Sequence, residues 1–141
     1  MNNIVCSGAM FYATKTKRFL FLQRTDPKTK GLWGLVGGRA RYTESAFDGL
    51  KREIQEEVGN TPKFKKVIPL ELFTSNDEKF YFHTYVIAIE NEFIPVLNQE
   101  HSGYSWCAYE YWPKNFHAGL RNTLNNRAIK GKLQTILNLI T

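Results

Sequence analysis

The stretch GRARYTESAFDGLKREIQEEVGN, residues 38–60, poses a problem of charge. It sets Glu53, Glu56 and Glu57 within five positions of one another in a chain whose formal net charge is +6. Around them Ala46, Phe47, Leu50, Ile54 and Val58 recur at helical spacing, which predicts an amphipathic helix over residues 44–58. On that helix the glutamates stand at i, i+3 and i+4, so they project from one face and crowd one another at the edge of the apolar stripe. A like-charge pair at this spacing costs an isolated helix about 0.2–0.5 kcal/mol, and more where the face borders a cleft of lowered dielectric. Either neighbouring cations in the chain or a divalent metal ion held by hard oxygen ligands can offset that cost.

The flanks of the stretch support the helix. Thr43 or Ser45 suits its N-cap and Glu44 its first turn, while Gly59, Asn60 and Pro62 supply a stop. Upstream, residues 3–13 and 18–23 read as two strands joined by the polar TKTK, and residues 25–31 as a loop leading into the glycine-rich GLWGLVGG. Downstream, residues 64–75 and 79–90 are β-rich and suggest a hairpin, residues 104–109 a further strand, and residues 127–140 a closing amphipathic helix that tolerates Gly131. The order strands, helix, strands, helix, with no repeat, linker or low-complexity tract, predicts a single domain over residues 1–141. Its class is α/β (mixed α+β), a mixed sheet sandwiched by helices.

A chain of 141 residues fits one domain that buries about 68–70% of the surface exposed by its unfolded form. Residues 1–14 lack a basic leader and are interrupted by polar residues, so they read poorly as a signal peptide. No run approaches the roughly 18 apolar residues of a membrane span. Cys6 and Cys107 are too few for a disulfide framework and form no CxxC, so reduced thiols and a cytoplasmic location are expected, with no membrane partner. The excess of Lys and Arg favours phosphate-bearing partners without separating a nucleotide from RNA. The run Gly34 to Gly38 lacks the Lys-Ser/Thr of a P-loop, which excludes that chemistry.

Read from Gly38, the spacing is glycine, five residues, Glu44, seven residues, then Arg52-Glu53-Ile54-Gln55-Glu56-Glu57-Val58-Gly59. This resembles the Nudix box of the Nudix hydrolase family, from Gly38 to Asn60, with Asn60 standing where the signature ends on an apolar residue. The resemblance implies a Nudix-type α/β/α sandwich with a mixed β-sheet. It further implies Mg²⁺- or Mn²⁺-dependent hydrolysis of a nucleoside diphosphate linked to another moiety. The chemistry agrees, because a pyrophosphate repels an attacking hydroxide until cations neutralise its oxygens and acidify the nucleophilic water.

On this resemblance Glu56 and Glu57 are the foremost metal ligands, and Glu53 is a third ligand or the general base. Arg52 holds a glutamate in position, and Glu44 is structural, through a salt bridge or the helix start. Gly37 and Gly38 let backbone come close, a carbonyl at Gly38 being a further ligand candidate, and Gly59 closes the motif. Glu100, in NQEHSGYSW, resembles the distant acidic residue that in this family joins the metals or acts as base; His101 beside it is read as a surface residue. Arg39, Trp33 and Tyr81 are candidate substrate contacts, Trp33 and Tyr81 as stacking surfaces alongside Phe80, Tyr85, Trp106 and Trp112, although most aromatics in such a domain are core.

The implied partner is a small nucleotide, with ADP-ribose or a dinucleoside polyphosphate favoured and a (d)NTP also compatible. The SQPWPFPxS-like array that marks NADH hydrolases is missing. The alternatives are removal of a cap or pyrophosphate from an RNA 5′ end, encouraged by the basic charge, and a non-enzymatic nucleotide-sensing module, disfavoured because all the box glutamates are present. A homodimer, frequent among relatives, is compatible with the sequence and not demanded by it.

Overall fold

Ala9 to Ala13 and Phe19 to Leu22 are uncharged runs with every residue buried, the pattern of strands covered on both faces. In the computed structural model, which describes residues 3–140, they form the middle of β1 (Ile4–Ala13) and β2 (Arg18–Arg24). Met1 and Asn2, part of the N-terminal stretch considered above, and Thr141 lie outside the described residues. The chain continues through β3 (Trp33–Gly34), β4 (Val36–Arg39), α1 (Ala46–Val58), β5 (Lys66–Thr74), β6 (Phe80–Ile89), β7 (His101–Ala108), α2 (Ala118–Asn125) and α3 (Arg127–Ile140).

β1 is the hub of the sheet. It pairs in parallel with β6 along its whole length, from Ile4↔Phe80 to Ala13↔Ile89, and antiparallel with β2 and β4. β5 pairs antiparallel with β6 as the anticipated hairpin, and β7 with β2. Alternation along the central strands then divides the core into two layers. Ala9, Phe11, Leu20, Leu22, Ile87 and Ile89 face α1, through Leu50, Ile54 and Val58. Met10, Tyr12, Phe19, Phe21 and Val86 face α2 and α3, through Leu120, Leu124, Leu133 and Ile136. The result is the expected sandwich of a mixed sheet between helices.

The differences from the sequence reading have local causes. α1 begins at Ala46, because Ser45 takes the N-cap and its Oγ accepts from the Asp48 amide at 3.1 Å. The glycine-rich approach holds two short strands, β3 and β4, too brief to show a period and formed by pairing with β2 and β1. β7 starts at His101, three residues early, because its pairing with β2 passes a bulge at Gln23/Arg24. α2 was not anticipated: eight residues long, it is capped by His117, whose Nδ1 accepts from Gly119 N at 3.3 Å.

Leu50 is fully buried where α1 meets the sheet. Leu50→Ala is expected to lower the unfolding free energy by about 2–5 kcal/mol, read from a denaturant midpoint. A loss below about 1 kcal/mol would mean that α1 does not pack as described.

Candidate active site

The site starts from the pairing of β4 with β1, in which Ser7 lies opposite Gly38 and Gly8 opposite Gly37. Ser7 Oγ also donates to the Ala46 carbonyl at 2.9 Å, tying β1 to the start of α1. The backbone of β4 is thereby pressed against the glutamate face of the helix. A Cβ on Gly38 would lie 2.2 Å from Glu53 Oε2, and one on Gly37 would lie 2.0 Å from the Ser7 carbonyl oxygen. At Gly37 the obstacle is backbone and only glycine fits, whereas a Cβ at Gly38 would push the Glu53 carboxylate aside. The Gly37 amide donates to Glu57 Oε1 at 3.0 Å, and Glu57 is only 3% exposed.

Arg52 organises the opposite edge of the cluster. Its Nε and Nη2 reach the two Glu44 oxygens at 2.8 and 3.0 Å, its Nη1 reaches Glu56 at 3.2 Å, and Nη2 also donates to the Arg39 carbonyl at 3.1 Å. Glu44 accepts in addition from the Arg41 amide at 2.7 Å. Hydrogen bonds from Arg52 and the Arg41 amide hold the Glu44 carboxyl down at about 2, and the same pairing raises the Arg52 guanidinium above its ordinary value. Glu44 is therefore a permanent anion that fixes Arg52, and Arg52 fixes Glu56.

Glu53 and Glu57 behave in the opposite way. Burial, with the Glu56 charge beside it, pushes Glu53 up to about 7; burial also pushes Glu57 up to about 8, against the Gly37 amide and with the help of the Glu53 and Glu100 charges. Glu100 thus lies within electrostatic reach of both, although it is more than 40 residues away in the chain. Its loop is fastened there by Asn98, whose Nδ2 donates to the Glu56 carbonyl at 3.0 Å and whose Oδ1 accepts from the Glu100 amide at 2.9 Å. Asn98 had no motif to mark it, since its role depends on a contact between distant segments.

Among the described residues no three His, Cys, Asp or Glu side chains converge on a ready-made metal cage. The donor set nonetheless suits a hard divalent ion that keeps several of its waters and needs only one or two carboxylates. Two neighbouring glutamates whose proton affinity is raised first by burial and then by the acidic charges around them, beside glycines whose Cβ would meet Glu53 and Ser7, are the surroundings such an ion would complete.

The remaining candidates are scattered. Arg39 is exposed on β4, with its carbonyl bound to Arg52. Trp33 is half-buried against the other core layer and bridges Phe116 through its backbone, which favours packing over stacking. Tyr81 stands on β6 opposite Val5 and Thr74, and among the described residues no hydrogen bond or ring contact joins it to the carboxylates. Gly59 caps α1, its amide donating to the Gln55 carbonyl at 3.2 Å. His101, expected at the surface, is 8% exposed, because it begins β7 and pairs with Arg24; burial lowers its pKa to about 4. Cys6 and Cys107 are unpaired and half-buried.

Comparison with known proteins bears on the family and the fold. The family model described as NUDIX domain matches residues 4–126. A curated relative, Nudix hydrolase 6 of Arabidopsis thaliana, is 36% identical over 63 residues, which is 43% of this chain and 22% of that protein; the match thus spans about a fifth of the relative's length. Among solved structures, the Ap4A hydrolase of C. elegans superposes with a TM-score of 0.69 at 21% identity, covering 92% of this chain and 98% of that one. An ADP-ribose pyrophosphatase of Streptococcus suis superposes with a TM-score of 0.67 at 20% identity, covering 94% and 92%. At these identities the superpositions establish the fold.

The proton balance of the site has a measurable consequence. Above the ordinary carboxylate value of 4.5, Glu53 up to about 7 and Glu57 up to about 8 keep protons in the fold that the unfolded chain has released. The native state binds more protons there, so stability falls as pH rises through that window. Thermal midpoints of the metal-free protein are expected to decline across it, with a shallower decline in Glu57→Gln and recovery at the alkaline end on adding Mg²⁺. A midpoint that rises with pH in wild type, unaltered by the substitution, would contradict the assigned environment.

Proposed function

The chain belongs to the NUDIX domain family, and on that premise we propose that it hydrolyses a pyrophosphate bond in a nucleoside diphosphate linked to another moiety, using Mg²⁺ or Mn²⁺. The observation that carries the proposal is the set of Glu53, Glu56 and Glu57 on one face of α1, closed against the bare backbone of Gly37 and Gly38 and steered by Arg52.

In this reading Glu56 and Glu57 would hold the cation, with the Gly38 carbonyl available as a further ligand. When bound, the ion neutralises phosphate oxygens and lowers the pKa of the attacking water. Glu53, whose carboxyl burial pushes up to about 7, would serve as the general base toward the attacking water, or else Glu100 of the loop that Asn98 fastens would do so. Arg52 and Glu44 act by position: their ion pair fixes Glu56 and spends the guanidinium on protein acceptors. The buried Glu57, fastened to Gly37, sets the distance between helix and strand.

For substrate we favour ADP-ribose or a dinucleoside polyphosphate, a choice supported by the names of two structural neighbours, with a (d)NTP next. The formal charge of +6 favours one other reading, trimming of RNA 5′ ends. That reading requires an affinity for RNA that drops steeply with salt. A cytoplasmic setting is supported by the two unpaired thiols; among the described residues no helix is long and apolar enough to cross a membrane.

Phosphorus NMR with Mg²⁺ over ADP-ribose, diadenosine polyphosphates, nucleotide sugars, (d)NTPs and 5′-triphosphate RNA is expected to show cleavage of one substrate class. Glu57→Gln should lower that turnover by orders of magnitude while leaving the circular dichroism spectrum intact. Full activity in the variant would remove the carboxylate from the mechanism.

A further inference from the structure

The last turn of α1 and the segment that leads into β7 are hydrogen-bonded to each other. A helix leaves the carbonyls of its last turn without intrahelical partners, and here a distant stretch of chain supplies two of them. The Val96 amide donates to the Val58 carbonyl at 2.9 Å, and Asn98 Nδ2 donates to the Glu56 carbonyl at 3.0 Å. A Cβ on Gly59 would stand 3.4 Å from Val96 Cβ, so the segment lies close against the helix end.

The same segment holds Glu100 from two sides. Asn98 Oδ1 accepts from the Glu100 amide at 2.9 Å, which closes a bridge of one side chain between α1 and Glu100. On the other side the Glu100 carbonyl accepts from the Thr25 amide at 3.1 Å, and Thr25 Oγ1 donates to the Gln99 carbonyl at 2.7 Å. Thr25 directly follows β2, so the loop is tied both to the helix that carries the glutamates and to the sheet. The backbone amide and carbonyl of Glu100 are thus both engaged. Its exposed carboxylate, among the described residues, makes no hydrogen bond or ion pair. A fixed backbone under a free acidic side chain suits a reacting group, because a misplacement of about 1 Å costs on the order of a hundredfold in rate.

We propose that Asn98 and Thr25 are positioning residues: they fix Glu100 against the carboxyl end of α1 so that its carboxylate acts together with the box glutamates. The inference rests on the pyrophosphohydrolase reading, in which Glu100 is one candidate for the general base. It gives two uncharged residues outside the box a part in turnover that is exerted through Glu100 alone.

The test is a double-mutant cycle on the substrate that the wild type cleaves, with kcat measured in Asn98→Ala, Glu100→Gln and the pair. Each single substitution is expected to lower kcat by about ten- to a hundredfold with KM little changed. Asn98→Ala should cost nothing further once Glu100 is Gln. Thr25→Val, which removes the hydroxyl, should also act only while Glu100 is present, and Thr25→Ser should keep the wild-type rate; this second cycle serves if Asn98→Ala does not fold. Independently of turnover, hydrogen exchange of the Glu100 amide should be slow in the wild type and at least about tenfold faster in Asn98→Ala. An undiminished loss from Asn98→Ala in the Glu100→Gln background would make Asn98 a cap of α1 and overturn the inference. An unprotected Glu100 amide in the wild type, or wild-type kcat in Glu100→Gln, would overturn it too, while loss of turnover in Glu57→Gln still supports hydrolysis. A wild type inert on every substrate would overturn both readings.

Discussion

Everything at this site depends on how closely one strand approaches one helix. The backbone of β4 lies so near the glutamate face of α1 that a single methyl group on Gly38 would collide with the Glu53 carboxylate. This contact excludes water from Glu53 and Glu57, and exclusion of water raises their proton affinity. It also brings the Gly37 amide onto Glu57, a hydrogen bond that partly offsets the burial of that carboxylate. β1 enforces the approach from behind, by pairing with β4 and by the bond from Ser7 to the first turn of α1.

The electrostatic arrangement follows from that constraint. Glu53, Glu56 and Glu57 stand on one face of α1 with Glu100 in electrostatic reach of Glu53 and Glu57, and the chain assigns its cations around them unequally. Arg52 is drawn back by Glu44, so it orders the cluster without cancelling it. Arg24, at the end of β2, spends its Nε on Asp26 and Thr29 instead. The remaining deficit of positive charge is what a divalent ion and a phosphate substrate would fill together. A site that balanced its own charges would bind neither well.

Much of this was legible in the chain. The uncharged runs of β1 and β2, the hairpin of β5 and β6, the stripe of α1 and the closing helix α3 all carry their periodicity openly, because each spans several turns or pleats. The box spacing placed Glu44, Arg52 and the three glutamates on one short segment, where helical geometry alone decides which of them meet. β3, β4 and α2 were hidden because they are short and owe their form to partners elsewhere. His101 was misjudged for the same reason: a polar residue in a polar stretch reads as exposed until pairing with Arg24 covers it.

Local sequence by itself therefore determined the helix, its carboxylate face and the glycines that can stand close to it, since these are matters of spacing and of a missing Cβ. Only the tertiary structure decided which glutamates are buried and that Asn98 fastens the loop of Glu100 to the helix that carries them. The physical reason is range. Periodicity acts over a few residues, whereas burial and charge act through space, between segments that the chain keeps more than 40 residues apart.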